Sequence, residues 1–145
     1  MTSQVHGTCV AVAGVGVLLR GPPGSGKSDL ALRLIDRGAA LVADDRVTLR
    51  REDDGIVASA PASLAGLIEV RGVGVARVPS IARARIGVVV DLVDAAAVER
   101  LPDRTGCELL GVDVPQYRLD AFQASACAKV RLAAQAVNED TLSEP

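Results

Sequence analysis

The chain has 145 residues, of which 49% are hydrophobic and 23% are charged, and its formal net charge is −2. This composition is typical of a globular domain, and the near-neutral charge argues against nucleic acid as a partner. The longest apolar run, Cys9–Leu19, is far shorter than the ~20 residues of a membrane-spanning helix. We therefore expect a cytoplasmic protein without membrane contact, with one domain over residues 1–138 and a disordered tail over 139–145.

Aromatic side chains and cysteines are scarce. Tyr117 and Phe122 are the only Tyr and Phe residues, and Trp is absent. We therefore expect a nucleobase to lie against aliphatic or Arg surface rather than on an aromatic ring. Cys9, Cys107 and Cys127 are odd in number and lack C-x-x-C spacing. They indicate buried thiols of a reducing compartment rather than a disulfide or a metal site.

The chain begins with the signals for a strand, a glycine-rich loop and a helix. Cys9–Leu19 is rich in Val and is bounded by Gly21, which predicts a single buried strand. Gly21–Ser28, GPPGSGKS, fits the pattern G-x-x-x-x-G-K-[ST] and is called the phosphate loop below. Apolar residues at helical spacing predict a helix over Ser28–Arg37, with Gly38 at its C-terminal cap.

The phosphate loop predicts a nucleoside triphosphate together with Mg²⁺. Its glycines let backbone N–H groups face phosphate oxygens, and the following helix adds its partial positive charge. Lys27 supplies a cation for the β- and γ-phosphates, and Ser28 offers a hydroxyl to Mg²⁺. A chance glycine-rich turn is the alternative, which the flanking strand and helix disfavour. The predicted nucleotide-binding residues are Gly21, Pro22, Pro23, Gly24, Ser25, Gly26, Lys27 and Ser28.

A second short apolar strand, Leu41–Ala43, ends in Asp44 and Asp45. Carboxylates at the C-terminal edge of a sheet beside a phosphate loop can hold Mg²⁺, or can accept a proton from an attacking hydroxyl. The alternative is a solvated turn that opens the next strand. The nearby nucleotide site favours the functional interpretation.

The rest of the chain mixes hairpins with further strands and a helix. Asp53-Asp54-Gly55 between Arg46–Arg50 and Ile56–Ala60 is a strong hairpin signal, so we expect antiparallel pairing within an α/β fold. The predicted elements after it are a short helix or loop at 61–66, a strand that breaks into a loop at 67–78, a central strand at 86–93, a loop at 102–106, an edge strand at 114–119 and a helix at 124–137.

Three further residues have side chains suited to catalysis, and each of them also has a purely structural interpretation. Glu69 and Arg71 lie in the apolar segment LIEVRGVGV, where they can form an internal salt bridge, or supply a carboxylate for Mg²⁺ and a cation for a transferring phosphoryl group. His6 is the only histidine, and a lone histidine near a terminus is usually a surface residue.

Taken together, these motifs resemble the catalytic domain of HPr kinase/phosphorylase, which acts on a serine of the phosphocarrier protein HPr. The resemblance rests on His6-Gly7, the phosphate loop, RGAALVADDRV (37–47) and LIEVRGVGV (67–75), which is similar to the family's signature segment. It is strong from about His6 to Val78 and weak afterwards. It implies an α/β P-loop kinase fold of the HPr kinase and phosphoenolpyruvate carboxykinase type, with a mixed sheet and flanking helices.

The resemblance also implies roles for individual residues. Lys27 would contact the phosphates, Ser28 and Glu69 would bind Mg²⁺, and His6 would belong to the active centre. Asp45 aligns with the family's proton acceptor for the seryl hydroxyl, and Asp44 lies beside it. The predicted catalytic set is His6, Lys27, Asp44, Asp45, Arg71 and Arg100, with Arg104 as the alternative to Arg100.

This sequence departs from the family in three places. Its catalytic histidine stands at position 6, so we expect the catalytic domain alone, and the stretch after the signature is short. The family's basic PVRPGR segment, tied to the phosphorylase direction, has no counterpart in residues 115–132. We therefore expect an HPr serine kinase, with phosphorylase activity in doubt. The alternatives are a small-metabolite kinase on the same fold and an ATP-sensing module without transfer. Hexamers in the family make a homo-oligomer an expectation here.

Overall fold

The computed structural model describes residues 1–139 and Leu142, so most of the predicted tail lies outside the described residues. Within that part, no helix is long and apolar enough to cross a membrane. Two α-helices are present, α1 (Lys27–Asp36) and α2 (Ala126–Glu139). The strands are β1 (Thr2–His6), β2 (Thr8–Val12), β3 (Val15–Arg20), β4 (Ala40–Ala43), β5 (Arg46–Glu52), β6 (Gly55–Ser59), β7 (Leu67–Val70), β8 (Gly74–Arg77), β9 (Arg83–Leu92), β10 (Thr105–Leu109) and β11 (Val112–Leu119).

The apolar run Cys9–Leu19 forms two strands, so the prediction of one strand is wrong. Ala13 and Gly14 both have positive φ (51° and 79°), and this two-residue turn folds β2 back onto β3. Such turns match the twist of a hairpin. Both strands are almost fully buried, so the polar alternation that marks a hairpin in a sequence is missing.

One curled, mixed sheet contains nine strands. Its main path runs β1-β5-β6-β9-β3-β2-β4, with β11 and then β10 attached beside β9. β3, β9 and β11 are mutually parallel neighbours, and β4 has the same direction because β2 is antiparallel to both β3 and β4. The C-terminal ends of these four strands therefore form one edge, which is where α/β folds usually bind ligands.

β11 was predicted as an edge strand and is instead internal. It pairs with β9 on one side and with β10 on the other, so β10 covers the edge that β11 would have exposed. The sequence of β10 contains Gly106 and Glu108 and shows little alternation; the predicted loop at 102–106 overlaps its first two residues, and no element was predicted for 107–109. Its strand conformation comes from the pairing with β11.

The sheet has a core on each face. Alternate residues of a strand point to opposite faces, so Val10 joins the face with the helices while Cys9 joins the other face. Both helices lie on the same face, and α1 buries the predicted residues Leu30, Ala31, Leu34 and Ile35. The α/β fold with a mixed sheet is therefore confirmed, with its helices on a single face.

The segment 67–78 forms a small hairpin of its own rather than a strand that ends in a loop. β7 pairs with β8 in a separate two-stranded sheet, and the turn between them leaves Val73 81% exposed. The hairpin predicted around Asp53-Asp54-Gly55 is confirmed by the pairing of β5 with β6. Cys9 and Cys127 are buried as predicted, and burial raises the pKa of the Cys9 thiol to about 12. Cys107 is only partly buried.

Candidate active site

The phosphate loop connects β3 to α1 at the C-terminal edge of the sheet. Ser25 N–H donates to the Pro22 carbonyl at 3.1 Å, which closes a turn with Pro23 and Gly24 at its centre. Gly24 has φ +83°, and proline followed by a residue of positive φ is the pattern of a type II turn. Pro23 thus stiffens the loop, although neither it nor Pro22 can donate an N–H to a phosphate.

Arg20 fixes the start of the loop. Its guanidinium binds both carboxylate oxygens of Asp91 at the end of β9, at 2.8 and 3.1 Å, and Gln116 also donates to that carboxylate. The hydrogen bond to Asp91 raises the pKa of Arg20 above its usual value. Since Arg20 directly precedes Gly21, this pair ties the loop to two neighbouring parallel strands.

The loop has the features of a phosphate cradle. Lys27 Nζ donates to the carbonyl oxygens of Gly21 and Pro22, at 2.6 and 3.2 Å, so its charge lies over the loop. Ser25 Oγ is buried and has no hydrogen-bond partner among the described residues. A buried hydroxyl without a partner is rare in folded proteins, and phosphate oxygens would satisfy it. The residues present therefore fit a nucleoside triphosphate.

Gly26 begins helix α1 in the left-handed conformation, with φ +96°. A Cβ at Gly26 would lie 2.8 Å from Ala121 Cβ and 3.1 Å from Phe122 Cζ. By contrast, a Cβ at Gly24 would meet nothing within 4 Å. Both glycines thus carry a backbone requirement, and only Gly26 also carries a packing requirement.

We expect Gly26→Ala to cost about 2–5 kcal/mol of stability and to weaken ATP binding more than tenfold. The strained backbone accounts for about 1–2 kcal/mol, and the clash with Ala121 adds about 1–3 kcal/mol. Gly24→Ala, the matched control, should cost only the backbone share. Urea unfolding and nucleotide titration measure both effects. Equal losses for the two variants would show that contact with the 121–122 segment does not matter.

Asp44 is 7% exposed, and its carboxylate accepts hydrogen bonds from three parts of the site. One carboxylate oxygen, Oδ1, accepts hydrogen bonds from Ser28 Oγ at 2.8 Å and from Thr8 Oγ1 at 3.0 Å. The other, Oδ2, accepts from the Glu69 backbone N–H at 3.3 Å. Asp44 therefore links the phosphate loop, strand β2 and the β7–β8 hairpin, which excludes the solvated-turn interpretation for this residue.

We expect Asp44→Ala to lower the free energy of unfolding by about 2 kcal/mol. Thr8 is fully buried, and its hydroxyl would lose its acceptor, as would Ser28 and the Glu69 N–H. Thr8→Val removes one of these donors and leaves the other two paired, so about 1 kcal/mol is expected. Urea denaturation compares the two variants. If Thr8→Val lowers the free energy of unfolding as much as Asp44→Ala does, Asp44 is not the shared acceptor of these three donors.

Asp45 differs from its neighbour in being exposed, with φ +67°. Its backbone carbonyl accepts a hydrogen bond from Gly7 N–H at 3.1 Å, next to His6. His6 is also exposed and pairs with Arg46 in the β1–β5 ladder. The structure therefore brings His6 and Asp45 to the same end of the sheet, with both side chains open to solvent.

The remaining side chains of the predicted catalytic and metal-binding sets lie on the protein surface or in surface loops. Glu69 is exposed on β7, and Arg71 is exposed in the turn that follows. Within the described residues no ion pair joins them, which removes the salt-bridge alternative. Arg100 is exposed in the loop before β10, and Arg104 donates to the Leu142 carbonyl. The catalytic roles of Arg71 and Arg100 stay predictions.

The part of the C-terminal sheet edge that carries Asp44 and Asp45, the acidic edge, suits Mg²⁺ only together with a bound nucleotide. Within residues 1–139 and Leu142, no three or more His, Cys, Asp or Glu side chains are arranged to hold a metal ion. Mg²⁺ in phosphoryl-transfer sites needs less from the protein, since it keeps waters and phosphate oxygens and takes one or two carboxylates. Ser28 Oγ and the backbone N–H of Glu69 in β7 both donate to Asp44, which brings this hydroxyl and the Glu69 segment to one carboxylate, as that smaller set requires.

Thr8 was missed by the sequence analysis. It is the fully buried polar residue at the start of β2, and its hydroxyl binds the carboxylate of Asp44. The available signal was a polar residue directly before the apolar run CVAVAGVGVLL. A buried hydroxyl needs a partner, so its position could have indicated an acceptor nearby.

A phosphate loop between a buried strand and a helix, with carboxylates at the same sheet edge, defines a P-loop fold. The sequence-family model of the HPr Serine kinase C-terminal domain matches residues 1–142. The solved HPr(Ser) kinase/phosphatase from Coxiella burnetii superimposes with a TM-score of 0.83 at 25% identity, over 92% of this chain and 88% of that chain.

Curated HPr kinase/phosphorylases are similar in sequence as well. Identity is 41% over 131 residues with the protein of Geobacillus thermodenitrificans, and the alignment covers 81% of this chain. It is 39% over 140 residues with that of Chlorobium limicola, covering 88% of this chain. This chain belongs to the HPr kinase family, and the resemblance extends well beyond Val78. It spans 42% of the length of these relatives.

Proposed function

We propose that this chain is an ATP- and Mg²⁺-dependent protein-serine kinase whose acceptor is an HPr-type phosphocarrier protein. The hydrogen bond between Ser28 and Asp44 carries the proposal, because it joins the phosphate loop to the acidic edge of the sheet. Asp45, the next residue, is exposed at that edge and can receive a proton from an incoming hydroxyl. The names of the relatives support HPr as the acceptor.

Transfer on this site would rest on positioning and charge. The loop N–H groups and Lys27 would hold the triphosphate, and Ser28 and Glu69 would hold Mg²⁺, whose charge would offset that of the phosphates. The seryl oxygen forms the new bond to the γ-phosphorus as the bond to the ADP oxygen breaks. The seryl proton passes to the Asp45 carboxylate. Asp45 directly precedes Arg46, which pairs with His6 in the β1–β5 ladder.

We further propose that the reverse, phosphate-dependent direction is weak. The 115–132 segment lacks the family's basic motif, and its residues Asp120, Ala121 and Phe122 lie beside the loop. The cations that this basic motif would offer to an incoming phosphate anion are therefore missing from the segment.

The test is labelling of purified HPr with γ-labelled ATP and Mg²⁺, with HPr whose acceptor serine is replaced by Ala as the control. We expect label on wild-type HPr and none on the Ala variant, and the label should persist when inorganic phosphate is added. A pool of small hydroxylated metabolites in a parallel reaction covers the alternative acceptor. Label on a metabolite instead of HPr would contradict the proposal.

A further inference from the structure

A cavity of about 580 Å³ opens beside the phosphate loop. Its walls come from the turn of the loop, from the segment after β9 and from the segment after β11. The residues that line it include Pro22, Pro23, Asp94, Asp120 and Phe122. Its volume lies within the ~300–1,000 Å³ range of small-molecule sites.

The cavity and the acidic edge lie on opposite sides of the loop. Strands run in the order β4-β2-β3-β9-β11, and the loop follows β3 in the middle. Asp44 follows β4 on one side, where it holds Ser28. Asp94 and Asp120 follow β9 and β11 on the other side. A triphosphate whose γ-end lies near Ser28 would therefore direct its other end toward the cavity.

We propose that this cavity binds the base and ribose of the nucleotide, with Phe122 as the stacking surface; the inference rests on the proposed use of ATP. Phe122 is 65% exposed, although large apolar side chains usually bury themselves. Its ring lies beside Gly26, as the 3.1 Å approach to a Cβ at that position shows. Composition alone predicted an aliphatic base site, and the position of Phe122 is the reason to propose an aromatic one.

Phe122 is held in place by its neighbours. Asp120 Oδ1 accepts a hydrogen bond from Phe122 N–H at 3.0 Å, and Arg33 of α1 donates to the Ala121 carbonyl. Ala121 is fully buried. Because the backbone of Phe122 is fixed, less conformational entropy is lost when its ring stacks on a base. Pro22 and Pro23 add apolar lining to the cavity.

The polar groups of the cavity suit a nucleoside rather than a second anion. Its charged side chains are the carboxylates of Asp94 and Asp120, both hydrogen-bond acceptors, and no cation lines it in the described part of the chain. Ribose hydroxyls and the exocyclic amine of a base are donors that match them. A phosphate there would be repelled.

The test compares ATP with inorganic tripolyphosphate, which lacks base and ribose, by calorimetric titration in Mg²⁺. Phe122→Leu keeps an apolar contact to Gly26 but removes the ring, so the Kd for ATP should rise about tenfold. The Kd for tripolyphosphate should change less than twofold. Leu101→Ala, an exposed apolar residue outside the cavity, is the control and should change neither value.

Unchanged ATP affinity in Phe122→Leu would overturn the nucleoside site, as would equal shifts for both ligands. Wild-type protein that binds ATP no better than tripolyphosphate would overturn it as well. These results would leave phosphoryl transfer to HPr intact. The kinase proposal fails separately, if ATP binds with the expected preference and HPr is never labelled.

Discussion

Replacing Lys27 with Ala is expected to reduce phosphoryl transfer to HPr by about 10³-fold, to near background. Its ammonium group lies over the phosphate loop, 2.6 Å from the Gly21 carbonyl, and is the loop's only charged side chain. Removing one preorganised donor from a charge-developing centre typically costs about 10²–10³-fold, and Lys27 contributes a full charge as well. Initial rates of HPr labelling at saturating ATP measure the effect.

Lys129→Ala is the matched control, since Lys129 is the only other lysine in the sequence. It lies on α2, where it donates to Gln123, and its loss should leave the rate within twofold. Urea unfolding should show that Lys27→Ala remains folded, because in the described residues the side-chain hydrogen bonds of Lys27 go to loop carbonyls alone. Retention of more than a tenth of the wild-type rate would contradict the role of Lys27.

Asp45→Asn is expected to reduce the transfer rate by about 10²–10⁴-fold and to leave the Kd for ATP within twofold. A general base contributes that much to proton transfer, and the amide of Asn cannot accept the proton. Asn also tolerates the left-handed backbone of Asp45, at φ +67°, so the variant changes chemistry without adding strain. Single-turnover labelling of HPr separates the chemical step from binding.

Asp113 is also exposed but lies on β11, so Asp113→Asn controls for the general loss of a surface charge. It should have no effect on the rate. If Asp45→Asn labels HPr as fast as the wild type, Asp45 is not the base. His6→Ala would then be compared at the same sheet edge, since His6 lies next to the Gly7 N–H that binds the Asp45 carbonyl.

Features that depend on neighbouring residues in the chain could be predicted from the sequence. The loop, helix α1 with its four buried residues and the β5–β6 hairpin follow from glycine placement, helical periodicity and an Asp-Gly turn. The position of Asp44 and Asp45 beside the loop was also predicted, because strands β3 and β4 end at the same edge. That Asp44 is buried and Asp45 exposed could not be foreseen.

Features that depend on pairing between distant residues could not be predicted. β2 and β3 read as one strand because burial on both faces removes the alternation that would separate them. β10 gains its strand conformation from β11, and β11 loses its edge for the same reason. Likewise, only the folded chain brings Phe122 from near the C-terminus to Gly26.

Mass spectrometry of HPr incubated with this protein, ATP and Mg²⁺ decides whether the chain is a protein-serine kinase. We expect one phosphoryl group per HPr, located on a serine by fragmentation, and none when Lys27→Ala replaces the wild type. We also expect the phosphoserine to persist after inorganic phosphate is added. HPr that remains unphosphorylated in the presence of protein that demonstrably binds ATP would contradict the proposed kinase function.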